Sequence, residues 1–312
     1  MKLNVIIPCF NEEGNVEILQ KKLADTLGEI DYQLIFINDG SKDNTYKKLK
    51  EVYLKNQSTV KVINFSRNFG KDAAIFAGLE VSDADYTVLI DGDMQQNPKY
   101  LLDMLAYLEE NEDIDIVAMV NTNRREGIFT RFFKWGFYTF MNLISDVKFN
   151  KGVSDFRMFR RSVTEAIRLL PENNRFSKGI FSWIGFNTHV MEYKVEPRFA
   201  GKRYFNFINQ WRYAFRGIIN FSIKPLRLAT VLGFLFALIA FIYGTIILID
   251  TVIHGSNVPG FPTLLTAILF LGGIQLMAIG LLGEYISRTY LESKKRPIYI
   301  AKSKLGFNED IL

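Results

Sequence analysis

Two long stretches without a charged residue constrain this chain more than any other feature. One runs from Leu228 to Ile249 and the other from Gly255 to Gly283. Each exceeds the roughly 20 apolar residues that a helix needs to cross a bilayer. The sequence therefore predicts two transmembrane helices joined by a short connection. The alternative is a pair of buried helices in a soluble protein.

Basic residues flank this pair of segments on its outer sides and are absent from the connection. Lys224 and Arg227 precede the first segment, and Arg288 and the run at 294–296 follow the second. The positive-inside rule then predicts that both ends are cytoplasmic. The N-terminus, MKLNVIIPCF, has too short an apolar run for a signal peptide, so the large N-terminal part is also predicted to stay inside.

The composition fits a membrane protein with an intracellular domain. Hydrophobic residues make up 48% of the chain and its mean hydropathy is +0.06, with the excess in the C-terminal part. The net charge of +5 comes with basic residues gathered near the predicted spans, which favours anionic lipid headgroups over nucleic acid as the partner. Cys9 is the single cysteine, so no intrachain disulfide can form, which fits a reducing compartment.

The first 120 residues alternate between two kinds of pattern. Short runs rich in Val and Ile recur at 3–8, 33–38, 60–65, 86–91 and 114–120, and stretches with helical apolar spacing separate them. This order predicts an α/β fold with a mostly parallel sheet, whose ligand lies beyond the carboxyl ends of the strands. A G-x-G-x-x-G turn after the first strand is missing, which argues against a dinucleotide-dependent oxidoreductase.

Two further segments are crowded with aromatic residues, contain several Arg and Lys, and are almost without acids: 127–145 and 204–222. Helices of this composition lie in the membrane interface. The alternative is a helix packed on the sheet domain. The predicted organisation is a cytoplasmic domain at 1–203 that contains the first of these segments, an interfacial amphipathic helix at 204–222, a two-helix anchor at 223–290 and a cytoplasmic tail at 291–312.

The stretch VLIDGDMQQNP, residues 88–98, places two acids at the end of a predicted strand. Asp91 and Asp93 are separated by Gly92, which permits the backbone turn that would let both carboxylates face one point. Oxygen ligands at this spacing suit Mg²⁺ or Mn²⁺, and Gln95 would add a neutral oxygen. The alternative is that these acids simply cap a turn or a helix.

Several motifs occur in one characteristic order along the chain. They are PCFNEE, INDGSKDNT, SRNFGKDAAIFAGL, LIDGDMQQNP, GVSDFRMFRR, PRFAGKRYF and GEYISRTYLESKKRPIYI. In this order the chain resembles the inverting family 2 glycosyltransferases that act on polyprenyl phosphates. It looks like a bacterial undecaprenyl-phosphate glycosyltransferase with two C-terminal spans, and its N-terminal domain is similar to dolichol-phosphate mannose synthases. The resemblance implies a GT-A type nucleotide-sugar-binding domain.

The resemblance also implies roles for individual residues. The residues it assigns to the nucleotide sugar are Pro8, Phe10, Asn11, Glu12, Asp39 and Asp91. It assigns the metal to Asp91, Asp93 and Gln95, and catalysis to Asp93 and Asp155, the latter near the sugar. This chain has Asn38 where the family usually has another acid beside Asp39. Lys71 either contacts a phosphate at the start of a helix or is a solvated helix residue.

The acceptor phosphate is expected to meet a set of cations. By the same resemblance they are Arg124, Arg125, Arg131 and Lys134. Arg198, in the basic loop that leads to the membrane helices, joins this set, with the donor pyrophosphate as its alternative partner. A lipid phosphate is already anionic at neutral pH, so it needs positioning more than deprotonation. We therefore expect Asp155 to orient the sugar, the metal shell or the nucleophile, with general-base work as the secondary reading.

The predicted function is inverting transfer of a hexose, with glucose favoured, from a UDP-sugar to undecaprenyl phosphate on the cytoplasmic face of the inner membrane. The product would serve cell-envelope glycan modification. The predicted cofactor is Mg²⁺ or Mn²⁺, and the predicted partners are the two substrates, membrane lipids and a second copy of the chain through the transmembrane helices. The alternatives are UDP-GlcNAc or GDP-mannose as donor, or a non-catalytic nucleotide-binding membrane scaffold.

Overall fold

A computed structural model of the chain describes residues 2–121, 153–170, 172–173, 175–197, 222–254 and 260–307. The predicted interfacial segment at 127–145 lies outside the described residues, and so does nearly all of the one at 204–222.

The described residues form eight strands and eight helices. The strands are β1 (Lys2–Cys9), β2 (Asp31–Asn38), β3 (Val60–Phe65), β4 (Tyr86–Leu89), β5 (Ile116–Asn121), β6 (Val153–Arg160), β7 (Thr188–Tyr193) and β8 (Ala301–Leu305). The helices are α1 (Val16–Leu27), α2 (Thr45–Lys55), α3 (Lys71–Val81), α4 (Tyr100–Glu110), α5 (Arg161–Arg168), α6 (Ser177–Trp183), α7 (Lys224–His254) and α8 (Phe261–Ser293).

All eight strands belong to one sheet, in the order β7-β5-β6-β4-β1-β2-β3-β8. The strands β1 to β4 pair in parallel, and β5 and β7 run in the same direction as they do. The two exceptions are β6, which is antiparallel to both of its neighbours, and β8, which is antiparallel to β3. The prediction of an α/β fold with a mostly parallel sheet is confirmed.

Helices cover both faces of the sheet. Since successive side chains of a strand point to opposite sides, one strand can contribute to both cores. Leu3, Val5 and Ile7 of β1 belong to the core cluster that includes the apolar residues of α1, α2 and α4. Ile6 belongs to the second cluster, with α3, α5 and α6. The strands are continuous hydrophobic runs for this reason, as parallel strands covered on both sides usually are.

The C-terminal segment returns to the sheet after the second apolar helix. Within the predicted tail at 291–312, residues 301–305 form the edge strand β8. Tyr299, just before it, stacks on Phe65 with ring centroids 4.8 Å apart and donates a hydrogen bond to Glu80 at 2.6 Å. No local sequence pattern predicts this strand, because its pairing partner lies more than 230 residues earlier in the chain.

Both apolar segments form helices that are long and apolar enough to cross a membrane: the candidate spans are Lys224–Ile247 in α7 and Ala267–Ser293 in α8. Their apolar side chains are exposed, as the side chains of a lipid-covered helix would be. Asp250 and His254 lie in the last turns of α7. The backbone N–H of Asn173 donates to the Glu292 carboxylate at 3.0 Å, which joins the end of α8 to the sheet domain.

Candidate active site

The polar residues singled out in the sequence meet at one edge of the sheet. The parallel strands β1, β2 and β4 end there, and the turns that follow them carry residues 10–12, 39–45 and 91–96. Because β6 runs in the opposite direction, its first residues lie at the same edge. This edge is the candidate active site, in agreement with the general position of ligands in parallel sheets.

The turn after β1 is fastened to the loop after β2 by three hydrogen bonds. The N–H of Asn11 donates to the Ser41 hydroxyl at 3.0 Å, and the N–H of Lys42 donates to the side-chain oxygen of Asn11 at 2.9 Å. The N–H of Glu12 donates to the Thr45 hydroxyl at 2.8 Å. The predicted nucleotide-binding turn is thus held in one shape by the neighbouring loop.

Pro8 and Phe10 lie on either side of the end of β1. Pro8 is half-buried within the strand, whereas Phe10 follows the strand and exposes 43% of its surface. An exposed aromatic ring at the rim of a site can stack on a planar group such as a nucleobase. The assignment of these two residues to nucleotide binding stays a prediction, and the exposure of Phe10 is compatible with it.

Asp39 is buried and holds the loop between β3 and α3. Its carboxylate accepts hydrogen bonds from the N–H of Phe69 at 2.7 Å, the N–H of Gly70 at 3.0 Å and the side-chain amide of Asn68 at 2.9 Å. Burial raises the pKa of Asp39, and the N–H groups of Phe69 and Gly70 oppose this rise. A carboxylate has about four acceptor positions, so contact with a uracil base stays open as a prediction.

Two glycines allow these loops to approach one another. A Cβ on Gly40 would lie 2.2 Å from the carbonyl carbon of Arg67, and the φ of Gly40 is +62°. A Cβ on Gly92 would lie 3.1 Å from the Pro8 carbonyl oxygen and 3.2 Å from the sulfur of Cys9. The second contact shows why the residue between the two acids is small: the acidic turn packs directly on the end of β1.

The acidic turn begins earlier than the sequence suggested, since β4 ends at Leu89 and not at Asp91. The strand pairing stops here because the backbone N–H of Asp91 forms its hydrogen bond with a side chain and not with the neighbouring strand. The N–H of Asp91 donates to Oε1 of Gln96 at 2.9 Å, and Nε2 of Gln96 donates to Oδ2 of Asp91 at 3.2 Å. Gln96 is 4% exposed, so a buried amide orients the Asp91 carboxylate.

The rest of the acidic turn is tied to the segment after β7. The N–H of Gln95 donates to the Asp93 carboxylate at 3.2 Å, and the N–H of Glu196 donates to the Gln95 carbonyl at 3.0 Å. Met94 has a φ of 63°, which is uncommon for a residue other than glycine. Gln95 is half-buried beside Asp93, and its role as a metal ligand stays a prediction.

Asp155, on β6, lies opposite Asp91, which follows the neighbouring strand β4. In the antiparallel pair of β4 and β6, Leu89 lies opposite Arg157. Continuing this register by two residues places Asp91 opposite Asp155. The Asp155 side chain is 17% exposed. The structure therefore brings together two acids that are far apart in the sequence.

Lys71, the first residue of α3, connects these two acids. Its ammonium lies 2.7 Å from Oδ1 of Asp91 and 2.8 Å from Oδ2 of Asp155. The Lys71 side chain is 43% exposed, so it reaches the acids from the open side of the site. Of the two roles considered from the sequence, the solvated helix residue does not describe this position.

The pKa values of the three groups follow from this arrangement. Burial disfavours the charge of Lys71, but Asp155 and Asp91 outweigh it and raise the Lys71 pKa well above its usual range. Burial also disfavours the charge of Asp155, yet Lys71, with Lys178 and Arg157 nearby, holds the Asp155 pKa well below its usual range. For Asp91, burial together with the charges of Asp155 and Asp93 raises the pKa despite Lys71.

The residues at this edge fit a divalent ion. No group of three His, Cys, Asp or Glu side chains able to hold a metal occurs in the described part of the chain. Mg²⁺, however, is commonly bound through one or two carboxylates together with substrate phosphates and water. Asp91 and Asp93 supply such carboxylates, and Asp91 already has a positive charge beside it in the ammonium of Lys71. The set suits an ion that binds with a phosphorylated substrate.

The predicted acceptor-phosphate residues cannot be placed in this geometry. Arg124, Arg125, Arg131, Lys134 and Arg198 all lie outside the described residues.

Gln96 is a site residue that sequence reasoning missed. The sequence shows two adjacent amides after Asp93, and nothing in the pattern indicates that the second one turns inward to Asp91. In the structure burial alternates through the turn, since Gly92, Met94 and Gln96 are buried whereas Asp91, Asp93 and Gln95 are half-buried, but the residue types do not show this alternation.

We expect Gln96→Met to lower the rate of the reaction catalysed at this site by about 10²-fold, the loss that a displacement of about 1 Å can cause. Methionine fills a similar volume but forms neither hydrogen bond to Asp91. Because the substitution affects the carboxylate and not the nucleotide turn, kcat should fall more than KM for the donor rises. Steady-state kinetics measure both constants.

The matched control is Gln57→Met, which removes an exposed amide from the loop before β3, at the opposite end of the strands. This variant should keep the wild-type rate. Equal kcat values for Gln96→Met and wild type would show that Asp91 keeps its orientation without the amide.

Comparison with known proteins identifies the family. The profile of Glycosyl transferase family 2 matches residues 4–168, and the profile described as GtrB C-terminal hairpin matches residues 224–289, which contain most of α7 and α8. The chain is 41% identical over 304 residues to the prophage bactoprenol glucosyl transferase homolog of Escherichia coli K12, with 97% of this chain and 99% of that protein covered. It is 40% identical over 306 residues to the bactoprenol glucosyl transferase of Shigella phage SfX, with 97% of this chain and 100% of that protein covered.

Solved structures share the fold of the sheet domain. Glucosyl-3-phosphoglycerate synthase from Mycobacterium tuberculosis, in complex with Mn²⁺, UDP-glucose and phosphoglyceric acid, superposes with a TM-score of 0.50 at 16% identity and covers 70% of this chain and 77% of its own. The predicted GT-A type fold is thereby confirmed. The matched family profile, the hairpin profile and the near-full-length relatives lead to one conclusion: the chain belongs to glycosyltransferase family 2 and is a membrane-associated glycosyltransferase of the type that carries a C-terminal two-helix hairpin.

Proposed function

We propose that this enzyme transfers glucose from UDP-glucose to the phosphate of bactoprenol, with inversion at the anomeric carbon, on the cytoplasmic face of the membrane. The observation that carries the proposal is the convergence of Asp91, Lys71 and Asp155 in one crevice of a chain that also has two apolar helices. Its similarity to proteins named bactoprenol glucosyl transferase extends over nearly the whole chain.

The donor would bind across the edge where β1, β2 and β4 end. Phe10 would stack on the base, and Asn11 and Glu12 would contact the nucleotide from the turn that Ser41 and Thr45 hold in place. Asp39 would accept a hydrogen bond from the base in addition to holding the loop before α3. This arrangement would direct the diphosphate toward Asp91.

In the transfer step the bond between the anomeric carbon and the diphosphate oxygen breaks, and a bond forms from the same carbon to an oxygen of the acceptor phosphate. UDP leaves with the electron pair. A divalent ion held by Asp91, Asp93 and Gln95 would neutralise the charge that develops on the diphosphate. A phosphate monoester is largely ionised at neutral pH, so the attack needs no strong base.

Asp155 would orient the sugar beside the acceptor. Its carboxylate stays ionised because Lys71, Lys178 and Arg157 keep its pKa low, and an ionised carboxylate accepts hydrogen bonds from sugar hydroxyls. Attack from the face opposite the diphosphate would invert the anomeric configuration. No covalent intermediate with the enzyme is required.

The fold supports a cytoplasmic position for both the domain and the C-terminus. Strand β3 precedes the two apolar helices and β8 follows them, and the two strands pair in one sheet. A chain that leaves a sheet, crosses a membrane twice and returns to the same sheet must end on the side where it began. Together with the flanking basic residues, this favours the cytoplasmic side.

The experiment that tests the function uses the purified full-length enzyme in detergent with undecaprenyl phosphate, Mg²⁺ or Mn²⁺, and radiolabelled UDP-glucose, UDP-GlcNAc or GDP-mannose. We expect label to enter the lipid phase with UDP-glucose and to be lost when EDTA removes the ion. Label from one of the other donors would correct the sugar. Nucleotide binding without lipid labelling from any donor would favour the non-catalytic scaffold.

A further inference from the structure

Lys71 occupies a position that contact with a phosphate alone does not explain. An ammonium on a four-carbon stem is strongly hydrated, so a lysine that served only to contact an anion would extend into water. Instead the ammonium is bound between Asp91 and Asp155 at 2.7 and 2.8 Å, although 43% of the side chain is exposed. The two acids therefore hold Lys71 in the site as a counter-ion.

Leaving aside Lys178 and Arg157, whose charges also act on Asp155, the charges of the three acids and Lys71 match those of a divalent ion. With all groups ionised, Asp91, Asp93 and Asp155 contribute three negative charges and Lys71 contributes one positive charge. The remaining two negative charges would balance the two positive charges of one Mg²⁺ or Mn²⁺. The cluster thus attracts a divalent ion even while Lys71 stays nearby.

Lys71 and a metal ion would compete for the same oxygen. Oδ2 of Asp91 accepts the hydrogen bond from Gln96, whereas Oδ1 is the oxygen that contacts Lys71. Because Lys71 reaches Asp91 from the open side of the site, Oδ1 is the oxygen that an incoming ion would meet. An ammonium and a divalent ion on one oxygen would lie within about 4 Å of each other, where like charges repel strongly in a partly buried site.

We propose that Lys71 is an internal counter-ion that the divalent ion replaces at Asp91 when the donor binds. Lys71 then keeps its contact with Asp155, and the N–H that had bonded to Asp91 donates a hydrogen bond to an oxygen of the donor diphosphate. The inference rests on the proposed function in one respect, since it takes the donor to be a nucleoside diphosphate sugar. Its consequence is that the ion binds weakly alone and tightly with the nucleotide.

The test measures Mn²⁺ affinity by electron paramagnetic resonance of the free ion, on the full-length protein in detergent, with and without UDP. Without UDP, we expect Lys71→Met to bind Mn²⁺ about tenfold more tightly than wild type, since the competing ammonium is gone. With UDP bound, Lys71→Met should no longer bind Mn²⁺ more tightly than the wild type, because it lacks the ammonium that donates a hydrogen bond to the diphosphate. The factor by which UDP strengthens Mn²⁺ binding should therefore fall.

Two variants control for charge and for packing. Lys178→Met removes a positive charge that also acts on Asp155 but forms no ion pair with Asp91, so it should leave the UDP-dependent factor at the wild-type value. Lys71→Gln repeats the charge removal with a polar side chain and should behave as Lys71→Met does. Gel filtration and thermal unfolding establish that each variant is folded.

The outcomes separate this inference from the proposed function. If, without UDP, Lys71→Met bound Mn²⁺ no more tightly than the wild type, the exchange would be overturned. UDP-dependent Mn²⁺ binding in the wild type would still support the metal site. Absence of Mn²⁺ binding to the wild type with UDP would reject both the exchange and the metal assignment.

Discussion

Asp91→Asn is expected to reduce glucosyl transfer at least about 10³-fold, because a metal acting on a leaving diphosphate contributes several kcal/mol to the transition state. Asparagine has the shape of aspartate and keeps an oxygen for the hydrogen bond from Gln96. What it removes is the charge on which both Lys71 and a divalent ion depend. Transfer of label from UDP-glucose to the lipid phase measures the loss.

The stability of this variant distinguishes loss of chemistry from loss of the fold. In the folded protein, burial and the charges of Asp155 and Asp93 disfavour the ionised Asp91 carboxylate, as its raised pKa reflects. A carboxylate whose pKa is raised on folding lowers the free energy of unfolding at neutral pH. The thermal unfolding midpoint of Asp91→Asn should therefore equal or exceed that of the wild type.

Asp25→Asn is the matched control, since it removes the same charge from an exposed position on α1 and should leave transfer unchanged. If Asp91→Asn transferred glucose at the wild-type rate, the assignment of a metal to Asp91 would be wrong.

The local part of the fold could be predicted from the sequence. The runs at 3–8, 33–38 and 60–65 became β1, β2 and β3, because Val and Ile in short blocks separated by amphipathic stretches leave few alternatives to a parallel sheet. The two apolar segments became α7 and α8 for the same local reason. In each case the signal lies within about 20 residues of chain, the scale on which periodicity acts.

The long-range part of the fold could not be predicted in this way. Strand β6 inserts between β4 and β5 in the antiparallel direction, and β8 reaches β3 from the far end of the chain. Neither position follows from periodicity, because strand pairing depends on packing against neighbours that are distant in sequence. Strand β6 matters for function, since its register alone places Asp155 opposite Asp91.

The same division applies to the site. Asp91, Asp93 and Asp155 were named from their motifs, and the structure supplies what motifs do not contain: the contact of Asp91 and Asp155 with Lys71 and the orientation of Asp91 by Gln96. In the sequence, Lys71 begins a predicted helix and fits either a phosphate contact or a solvated position. Its true environment depends on three segments that meet only in the folded chain.

Asp155→Asn is expected to lower kcat for glucosyl transfer by about 10²-fold while UDP binding is retained, because a misplacement of about 1 Å at the reacting centre can cost this factor. Asp155 faces the reacting edge from β6, on the other side of Lys71 from Asp91. With its partner gone, Lys71 would pair with Asp91 alone. We therefore expect the Mn²⁺ concentration needed for half-maximal rate to rise as well.

Stability should change in the direction opposite to that of Asp91→Asn. The Asp155 pKa is lower in the folded protein than its usual value, so the ionised group stabilises the fold at every pH above the unfolded pKa of about 3.9 and loses this effect only as the pH falls through the folded value. The thermal midpoint of Asp155→Asn should lie below that of the wild type by a constant amount between about pH 5 and pH 8. Asp155→Glu keeps the charge at a displaced position, so it should recover most of the stability and little of the rate. Full recovery of the rate by the glutamate would show that the charge of Asp155, and not its position opposite Asp91, is what transfer requires.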